Sequence, residues 1–222
     1  KKSSDILVNV FAKMIFNHGF VHCDAHPGNM MVRPNPSNPS EPQVVLLDHG
    51  FYCTLKEDFR KDFCKLWYAL NTFDNMTVKD VSEKLGFGEY FRYMPLLFTY
   101  RTINAKKPLG GVITKDEIQF LKGNDEINLE KISLLLQQLP SEVVFIFKAM
   151  HIIGLHNRRS GGTTRERLIQ FTDKSIDAIA EKYTTLYQSS LKLAFRLKLA
   201  IFEKIFWLYK IIYGFKEFEF QD

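Results

Sequence analysis

Cysteine is scarce in this sequence, and no targeting segment can be read at its start. The 222 residues include only 3 cysteines, without a repeated spacing, which excludes the usual pattern of a disulfide framework and favours a reducing compartment. The first residue is Lys1 rather than Met, and no signal or transit peptide follows it. We therefore expect the chain to begin partway through a longer protein.

Positively charged residues are only slightly in excess of negatively charged ones. A net charge of +5 and a pI near 9.0 are too weak a bias to predict nucleic-acid binding, and no nucleic-acid partner is expected. The same bias is compatible with nucleotide phosphates or with anionic lipid. A composition of 45% hydrophobic and 25% charged residues is that of a globular protein, and 20 phenylalanines predict a core rich in aromatic rings.

The beginning of the chain is predicted to be helical. Apolar residues recur at helical spacing over residues 5–18. Ser4 is suited to cap the first turn, and Gly19 supplies the left-handed residue at which we expect the helix to end.

Three short apolar runs of strand length follow the first helix, at residues 20–21, 30–32 and 44–47. The intervening segment 33–42 contains 4 prolines, so we expect it to be a solvated loop that joins the last two strands into a hairpin. Because a two-stranded hairpin is not stable alone, it must rest on a helical body.

After residue 50 the pattern is almost entirely helical, so the predicted fold class is mainly α with a small β-hairpin. The local signals are capping boxes that begin at Thr54, Thr114 and Thr163, helix stops at Gly86 and Gly123, a helix start at Pro140 that runs through His151, and connections at 105–112 and 157–163.

The residues that point to chemistry lie around the predicted hairpin. Before it stands the pattern His22-x-Asp24-x-x-x-x-Asn29, and after it come Asp48 and Gly50 in the order Asp-His-Gly. In kinase-fold enzymes this order of motifs positions the attacking hydroxyl or water and holds magnesium on the nucleotide phosphates. The pattern is specific because three features occur together: the spacing within the first motif, the intervening strands and the second motif.

The residue types suit that task. Magnesium prefers oxygen ligands, which an amide carbonyl at Asn29 and a carboxylate at Asp48 would supply. Phosphoryl transfer depends mainly on positioning and charge neutralisation, so strand ends that hold these oxygens rigidly are suitable supports. A glycine at position 50 would let the backbone turn sharply beneath the metal.

Residues 22–29 (His-Cys-Asp-Ala-His-Pro-Gly-Asn) and 44–50 (Val-Val-Leu-Leu-Asp-His-Gly) resemble the motifs of the UbiB/ADCK family of atypical kinases, also called aarF-domain-containing kinases. The family loop usually has proline where this chain has Ala25, and its second motif is often Asp-Phe-Gly, where this chain has His49. One branch of the family has Asp-His-Gly, so His49 narrows the match.

The resemblance implies a protein-kinase-like C-terminal lobe over residues 1–183, with the catalytic loop at 22–29 and the metal-binding motif at 48–50. Residues 184–222 would form a C-terminal amphipathic helical extension. The N-terminal lobe would be missing from this chain, because no glycine-rich phosphate loop, paired lysine or Lys-x-Gly-Gln motif can be read. We expect the chain alone to be inactive.

The resemblance also implies ATP and magnesium as cofactors and a role in mitochondrial lipid or quinone homeostasis; a plastid location is the other option. Asp24 would be the catalytic residue, Asn29 and Asp48 the metal ligands. The implied cofactor-binding residues are His22, Gly28, Asn29, Asp48 and Gly50. No Ala-Pro-Glu motif follows, so a lipid, quinone-related or other small molecule is a better predicted substrate than a protein.

The C-terminal segment 190–216 predicts an amphipathic helix. Four of its charged residues, spaced by four, seven and seven, form one narrow stripe: Lys192, Arg196, Glu203 and Lys210. Charges interrupt each apolar run well before the ~18 residues of a membrane span. Packing into the domain and contact with a membrane surface or a partner both remain open.

Other interpretations of the motifs remain open as well. Asp24 and Asn29 also suit a turn, a choline-kinase or aminoglycoside-kinase type of phosphotransferase has a similar loop, and a non-catalytic pseudokinase is a third option. Zinc binding by His22, Cys23 and His26 lacks the usual second pair of ligands, and Cys23 lacks a base that would make it a nucleophile.

Overall fold

The computed structural model describes residues 1–99, 109–110, 134 and 137–213, without the side chains of residues 206 and 209–213. The elements in chain order are α1 (Lys2–Ala12), a π-helical turn (Lys13–His18), β1 (Phe20–His22), a 3-10 turn (Pro27–Asn29), β2 (Met30–Asn35), β3 (Asn38–Leu46), β4 (Tyr52–Thr54), α2 (Glu57–Thr72), α3 (Asn75–Lys84), a second 3-10 turn (Gly88–Tyr93), α4 (Met94–Thr99), α5 (Ser141–Arg159), α6 (Thr164–Ile179) and α7 (Thr185–Tyr213).

Helices predominate in the described residues, and the strands form two small antiparallel sheets, which confirms the predicted mainly helical fold with a small β element. The core lies where α1, α2 and α6 meet, and it is rich in aromatic rings as expected. Phe16, Trp67 and Phe171 lie with ring centroids 5.6–6.0 Å apart. The indole Nε1 of Trp67 donates to the Thr172 hydroxyl at 3.2 Å, which satisfies its buried N–H.

The first helix ends where the sequence predicted, at Gly19, whose φ of 62° is left-handed. Its start was wrongly predicted. Ser4 lies inside α1 rather than at its cap, and its buried hydroxyl donates to Asn157 Oδ1 on α5 at 2.8 Å. A serine that finds a buried partner on another helix is not needed as a cap.

The hairpin prediction was wrong about its loop. Residues 33–42 are not a solvated loop, because β2 extends to Asn35 and β3 begins at Asn38, with Pro34 opposite Pro42 in the register. Each strand of a two-stranded ribbon has one edge that pairs with no neighbour. A proline, which has no N–H to donate, can occupy a position that faces this edge without breaking the hydrogen-bond ladder. Only a two-residue turn at 36–37 separates the strands.

Strand β4 was not predicted. It pairs antiparallel with β1, with Val21 opposite Cys53, and is only 3 residues long. The capping box assigned to Thr54 was wrong as a consequence, because Thr54 is part of this strand and α2 begins after Lys56 without a side-chain cap. The box at Thr163 is confirmed, since its hydroxyl and Glu166 bond each other's backbone N–H groups.

Some predicted signals lie outside the described residues, namely the box at Thr114, the stop at Gly123 and most of the 105–112 connection. The stop at Gly86 is confirmed by a φ of 87° just after α3. The helix that begins after Pro140 continues to Arg159, so the connection predicted from residue 157 is shorter than expected.

We predict that Asn157→Ala destabilises the fold by about 2–3 kcal/mol, because it leaves buried partners unsatisfied. The buried Asn157 amide accepts from Ser4 and donates to the Thr163 carbonyl at 2.9 Å, so it ties α1, α5 and the start of α6 together. Chemical denaturation would measure the loss. Arg158→Ala, at an exposed neighbour, should change stability by less than about 0.5 kcal/mol. Equal effects would show that Asn157 has no such role.

Candidate functional site

The strand pairing brings the two sequence motifs side by side. The segment 23–29 connects β1 to β2, and 47–51 connects β3 to β4. Because β1 pairs with β4 and β2 with β3, the two loops leave the sheets together. Backbone hydrogen bonds join them at both ends, from Leu47 N to Asn29 O at 2.9 Å and from Cys23 N to Phe51 O at 3.1 Å.

Asp24 and Asn29 are in direct contact. The Asn29 side-chain nitrogen donates to both the backbone oxygen and Oδ2 of Asp24, each at 3.1 Å. This clamp fixes the Asp24 carboxylate relative to the loop. Since the amide nitrogen faces Asp24, the Asn29 Oδ1 is directed away from that carboxylate and is the atom available to a cation.

The turn between them is held by His26. Its Nδ1 accepts from Gly28 N at 3.1 Å, and its carbonyl accepts from Asn29 N at 2.9 Å. A Cβ on Gly28 would lie 3.2 Å from the His26 Nδ1, so a larger residue would crowd this turn. Gly28 was predicted to bind the cofactor, but its backbone N–H already donates a hydrogen bond within the loop.

Asp48 forms its own turn with Gly50. The Gly50 N–H donates to Asp48 Oδ1 at 2.8 Å, and a Cβ at position 50 would lie 3.0 Å from that oxygen. Gly50 is not among the described residues with positive φ. The backbone does bend at Gly50, as the sequence predicted, and the close approach of the Asp48 carboxylate is a further reason for glycine at this position.

A column of stacked rings supports the Asp48 loop, and Tyr52 at its centre was missed from the sequence. The Tyr52 ring stacks on Phe20 at 4.4 Å, on His22 at 5.0 Å and on His49 at 5.8 Å between centroids. The Tyr52 hydroxyl also hydrogen-bonds His49 Nδ1 at 2.7 Å. Only recognition of β4, which pairs Tyr52 with His22, would have revealed this column.

His22 is buried beneath the loop in a structural role. Its Nδ1 accepts from the Asp24 backbone N–H at 3.2 Å. Burial lowers the pKa of His22, helped by nearby His49 and opposed by Asp24 and Asp48. A hydrogen bond with the Phe51 backbone also raises the pKa of His22, but burial is the larger cause, so a neutral ring is favoured, with Nδ1 as acceptor and the proton on Nε2.

The cysteines near the site are not activated. Cys23 is fully buried, and burial raises the pKa of its thiol to about 11. Burial also raises the pKa of Cys53 on β4. A nucleophilic role for Cys23 is therefore disfavoured, as the sequence suggested. In the part of the chain that the structure describes, no three His, Cys, Asp or Glu side chains are grouped to hold a metal ion.

The donor set of the two loops fits magnesium held together with a nucleotide. Asn29 offers Oδ1, and the exposed Asp48 offers the carboxylate oxygen that Gly50 does not bond. Magnesium commonly takes one or two such protein oxygens and completes its shell with phosphate oxygens and water. Two hard oxygen donors without a third carboxylate match that mode better than a closed metal cage.

Comparisons with known proteins agree with this pattern. A family model described as ABC1 atypical kinase-like domain matches residues 1–82. AarF domain-containing protein kinase 1 of Xenopus laevis is 38% identical over 154 residues, which cover 68% of this chain and 29% of the relative. A probable serine/threonine-protein kinase of Dictyostelium discoideum is 35% identical, with 65% and 20% covered. A putative ABC1 protein of Arabidopsis thaliana is 33% identical, with 80% and 36% covered.

No solved structure matches the chain. The chain spans little more than a third, or less, of each of these relatives. Both motifs of the site, at 22–29 and 48–50, lie inside the segment that the family model matches. With relatives of the same family aligned over two thirds or more of the chain, the chain belongs to the UbiB/ADCK family of ABC1 atypical kinase-like proteins.

Proposed function

We propose that this chain supplies the catalytic and metal-binding loops of an ATP- and magnesium-dependent ATPase or phosphotransferase. Family membership supports a kinase-like function in general. The observation that carries the finer proposal is the Asn29 side chain, which clamps the Asp24 carboxylate while its own loop is hydrogen-bonded to the Asp48 loop. That arrangement joins an acceptor for a substrate proton to two oxygen donors for a cation.

Each residue has a separate task in this proposal. Asp24 orients a hydroxyl or water and accepts its proton, because Asn29 holds the carboxylate at a fixed orientation. Asn29 and Asp48 hold magnesium, which when bound neutralises charge on the nucleotide phosphates. Gly50 fixes one oxygen of Asp48 and leaves the other for the ion. His22 and Gly28 shape the loop through backbone contacts.

The connection after Gly50 favours a small substrate. Strand β4 begins at Tyr52 and α2 at Glu57, so this stretch offers no long segment of the kind that receives a peptide in protein kinases. A lipid, a quinone-related molecule or water as acceptor is therefore the proposed substrate class. The family resemblance supports the further proposal of a mitochondrial role in lipid or quinone homeostasis.

The proposal places this chain in the C-terminal lobe of a kinase-like site. The nucleotide would need further contacts from an N-terminal lobe, since the described loops provide no glycine-rich cradle for the phosphates. The choline-kinase or aminoglycoside-kinase type of activity is less favoured, because the relatives that align with this chain carry AarF and ABC1 names.

We predict that the isolated 222-residue chain hydrolyses ATP at no more than a trace rate. The reason is that phosphate positioning from a second lobe supplies much of the rate of phosphoryl transfer. Phosphate release with Mg-ATP, compared with the full-length gene product, measures this directly. Turnover by the chain equal to that of the full-length protein would contradict the proposed division between lobes.

In the full-length gene product, Asp24→Asn should lower kcat for ATP hydrolysis by about 100-fold to 10,000-fold, because it removes the proton acceptor. Asp48→Asn should instead remove most of the activity and raise the magnesium concentration that the remaining activity needs, because it removes a carboxylate ligand of the ion. Asp80→Asn, at an exposed carboxylate on α3, is the control and should retain wild-type rates. Wild-type activity in both site variants would exclude this site.

Gly50→Ala tests the Asp48 turn without removing a donor. A Cβ at 3.0 Å from Asp48 Oδ1 forces that carboxylate to move. We expect the magnesium concentration for half-maximal ATPase activity to rise about 10-fold, the effect of losing about 1.4 kcal/mol of binding. An unchanged magnesium requirement would show that Asp48 does not bind the ion through this geometry.

A further inference from the structure

Helix α7 is attached to the body along one narrow strip. Phe195 and Leu199 are buried, at 1% and 3% exposure, and Leu191 packs against the same core. These positions recur at four-residue spacing, so they lie along one side of the helix. The helix on which they pack is chiefly α6.

Most of the charged stripe of α7 also faces the body, which the sequence did not predict. Lys192 pairs with Asp177 on α6, and Arg196 reaches Asp173 at 2.7 Å. Glu203 accepts from Arg165, the second residue of α6, at 2.8 Å. The side chain of Lys210 lies outside the described residues. Three of the four residues of the charged stripe therefore pair with α6.

The outward face of α7 is apolar and uncovered. Its aliphatic side chains follow one another at intervals of seven, four, four, four and three residues, which places them within about a third of the helix circumference. They are between 50% and 83% exposed and comprise Leu186, Leu193, Leu197, Ile201, Ile205 and Leu208. Single exposed apolar residues are common on proteins, but a continuous aliphatic stripe along a helix marks a contact surface.

The two charged residues on this face are both lysines, Lys198 at one edge of the stripe and Lys204 within it. Lys198 and Lys204 are exposed, and Lys204 lies over the ring of Trp207 with its nitrogen 5.6 Å from the ring centroid. The only acidic residue of α7, Glu203, is turned toward Arg165. An anionic lipid surface matches both the aliphatic stripe and the cations.

We propose that α7 lies in the interface of an anionic lipid bilayer, with its aliphatic stripe toward the acyl chains and Lys198 and Lys204 at the headgroup phosphates. Trp207 would sit at the headgroup level, where indole rings are enriched. None of the described helices is long and apolar enough to cross a membrane, so the contact is along the surface. This inference goes beyond the proposed function and does not depend on nucleotide chemistry.

Flotation of the 222-residue chain with vesicles tests the aliphatic stripe. We expect the wild type to float with phosphatidylcholine vesicles that contain phosphatidylglycerol, and Leu197→Glu combined with Ile201→Glu to lower the bound fraction at least about 10-fold. Both side chains are more than half exposed, at 54% and 59%, so the fold should tolerate the change. The matched control combines Met76→Glu with Val32→Glu, two exposed apolar residues outside α7, and should float like the wild type.

The two lysines test the charge contribution. Lys198→Gln combined with Lys204→Gln should weaken binding to the anionic vesicles by roughly five-fold per lysine and leave the weaker binding to pure phosphatidylcholine unchanged. Lys13→Gln combined with Lys182→Gln removes the same charge at exposed positions outside α7 and is the control. Melting temperatures of all variants within a few degrees of the wild type would exclude misfolding as the cause.

Three outcomes would overturn the proposal. Unchanged flotation of the Leu197 and Ile201 variant would show that the stripe is not the contact. Absence of flotation, together with wild-type dimers that this variant converts to monomers in sedimentation velocity, would assign the stripe to a second copy of the chain. Flotation of the 222-residue chain but not of the full-length gene product would show that another part of the protein covers the stripe.

Discussion

The site depends on two short antiparallel pairings, β1 with β4 and β2 with β3. Without them the motifs at 22–29 and 48–50 would be separate loops about twenty residues apart in sequence. The pairings place Asn29 beside Leu47, and Asp48 follows at once. Because such small sheets are not stable alone, the site inherits its rigidity from the helices beneath it.

The attachment of these sheets to the helical body is specific. Gly19 ends the first helical segment in the left-handed conformation, and its carbonyl accepts from Leu55 N at 2.7 Å just after β4. Val21, Cys23 and Ala25 alternate into the core, while Asp24 between them stays partly accessible. A buried, neutral His22 and the stacked Tyr52 then connect the two loops. Two features therefore restrain Asp24: its neighbours Cys23 and Ala25 are buried, and Asn29 bonds its carboxylate and its backbone oxygen.

Predictions from the sequence were correct for features that depend on neighbouring residues. They were wrong where the structure of a residue depends on a partner that is distant in the sequence. The stop at Gly19 and the box at Thr163 are local and were confirmed. Ser4 was misassigned because its partner is Asn157, more than 150 residues away in the chain. Prolines 34 and 42 were read as loop formers because a free strand edge on which they are harmless is a tertiary property.

The same distinction applies to the site and to α7. The motif spacing was enough to predict Asp24, Asn29 and Asp48 as site residues. Only the structure reveals that Asn29 bonds the Asp24 carboxylate and that Gly50 lies close to the Asp48 carboxylate. In α7, periodicity grouped Lys192, Arg196 and Glu203 on one side, where they pair with α6, but could not say which side of the helix faces solvent. The structure shows that Phe195 and Leu199 are buried against the body and that Asp177 and Asp173 on α6 pair with Lys192 and Arg196 beside them. Because the buried strip and the paired charges occupy the side of α7 that faces α6, the aliphatic side chains on the opposite side are left exposed to solvent.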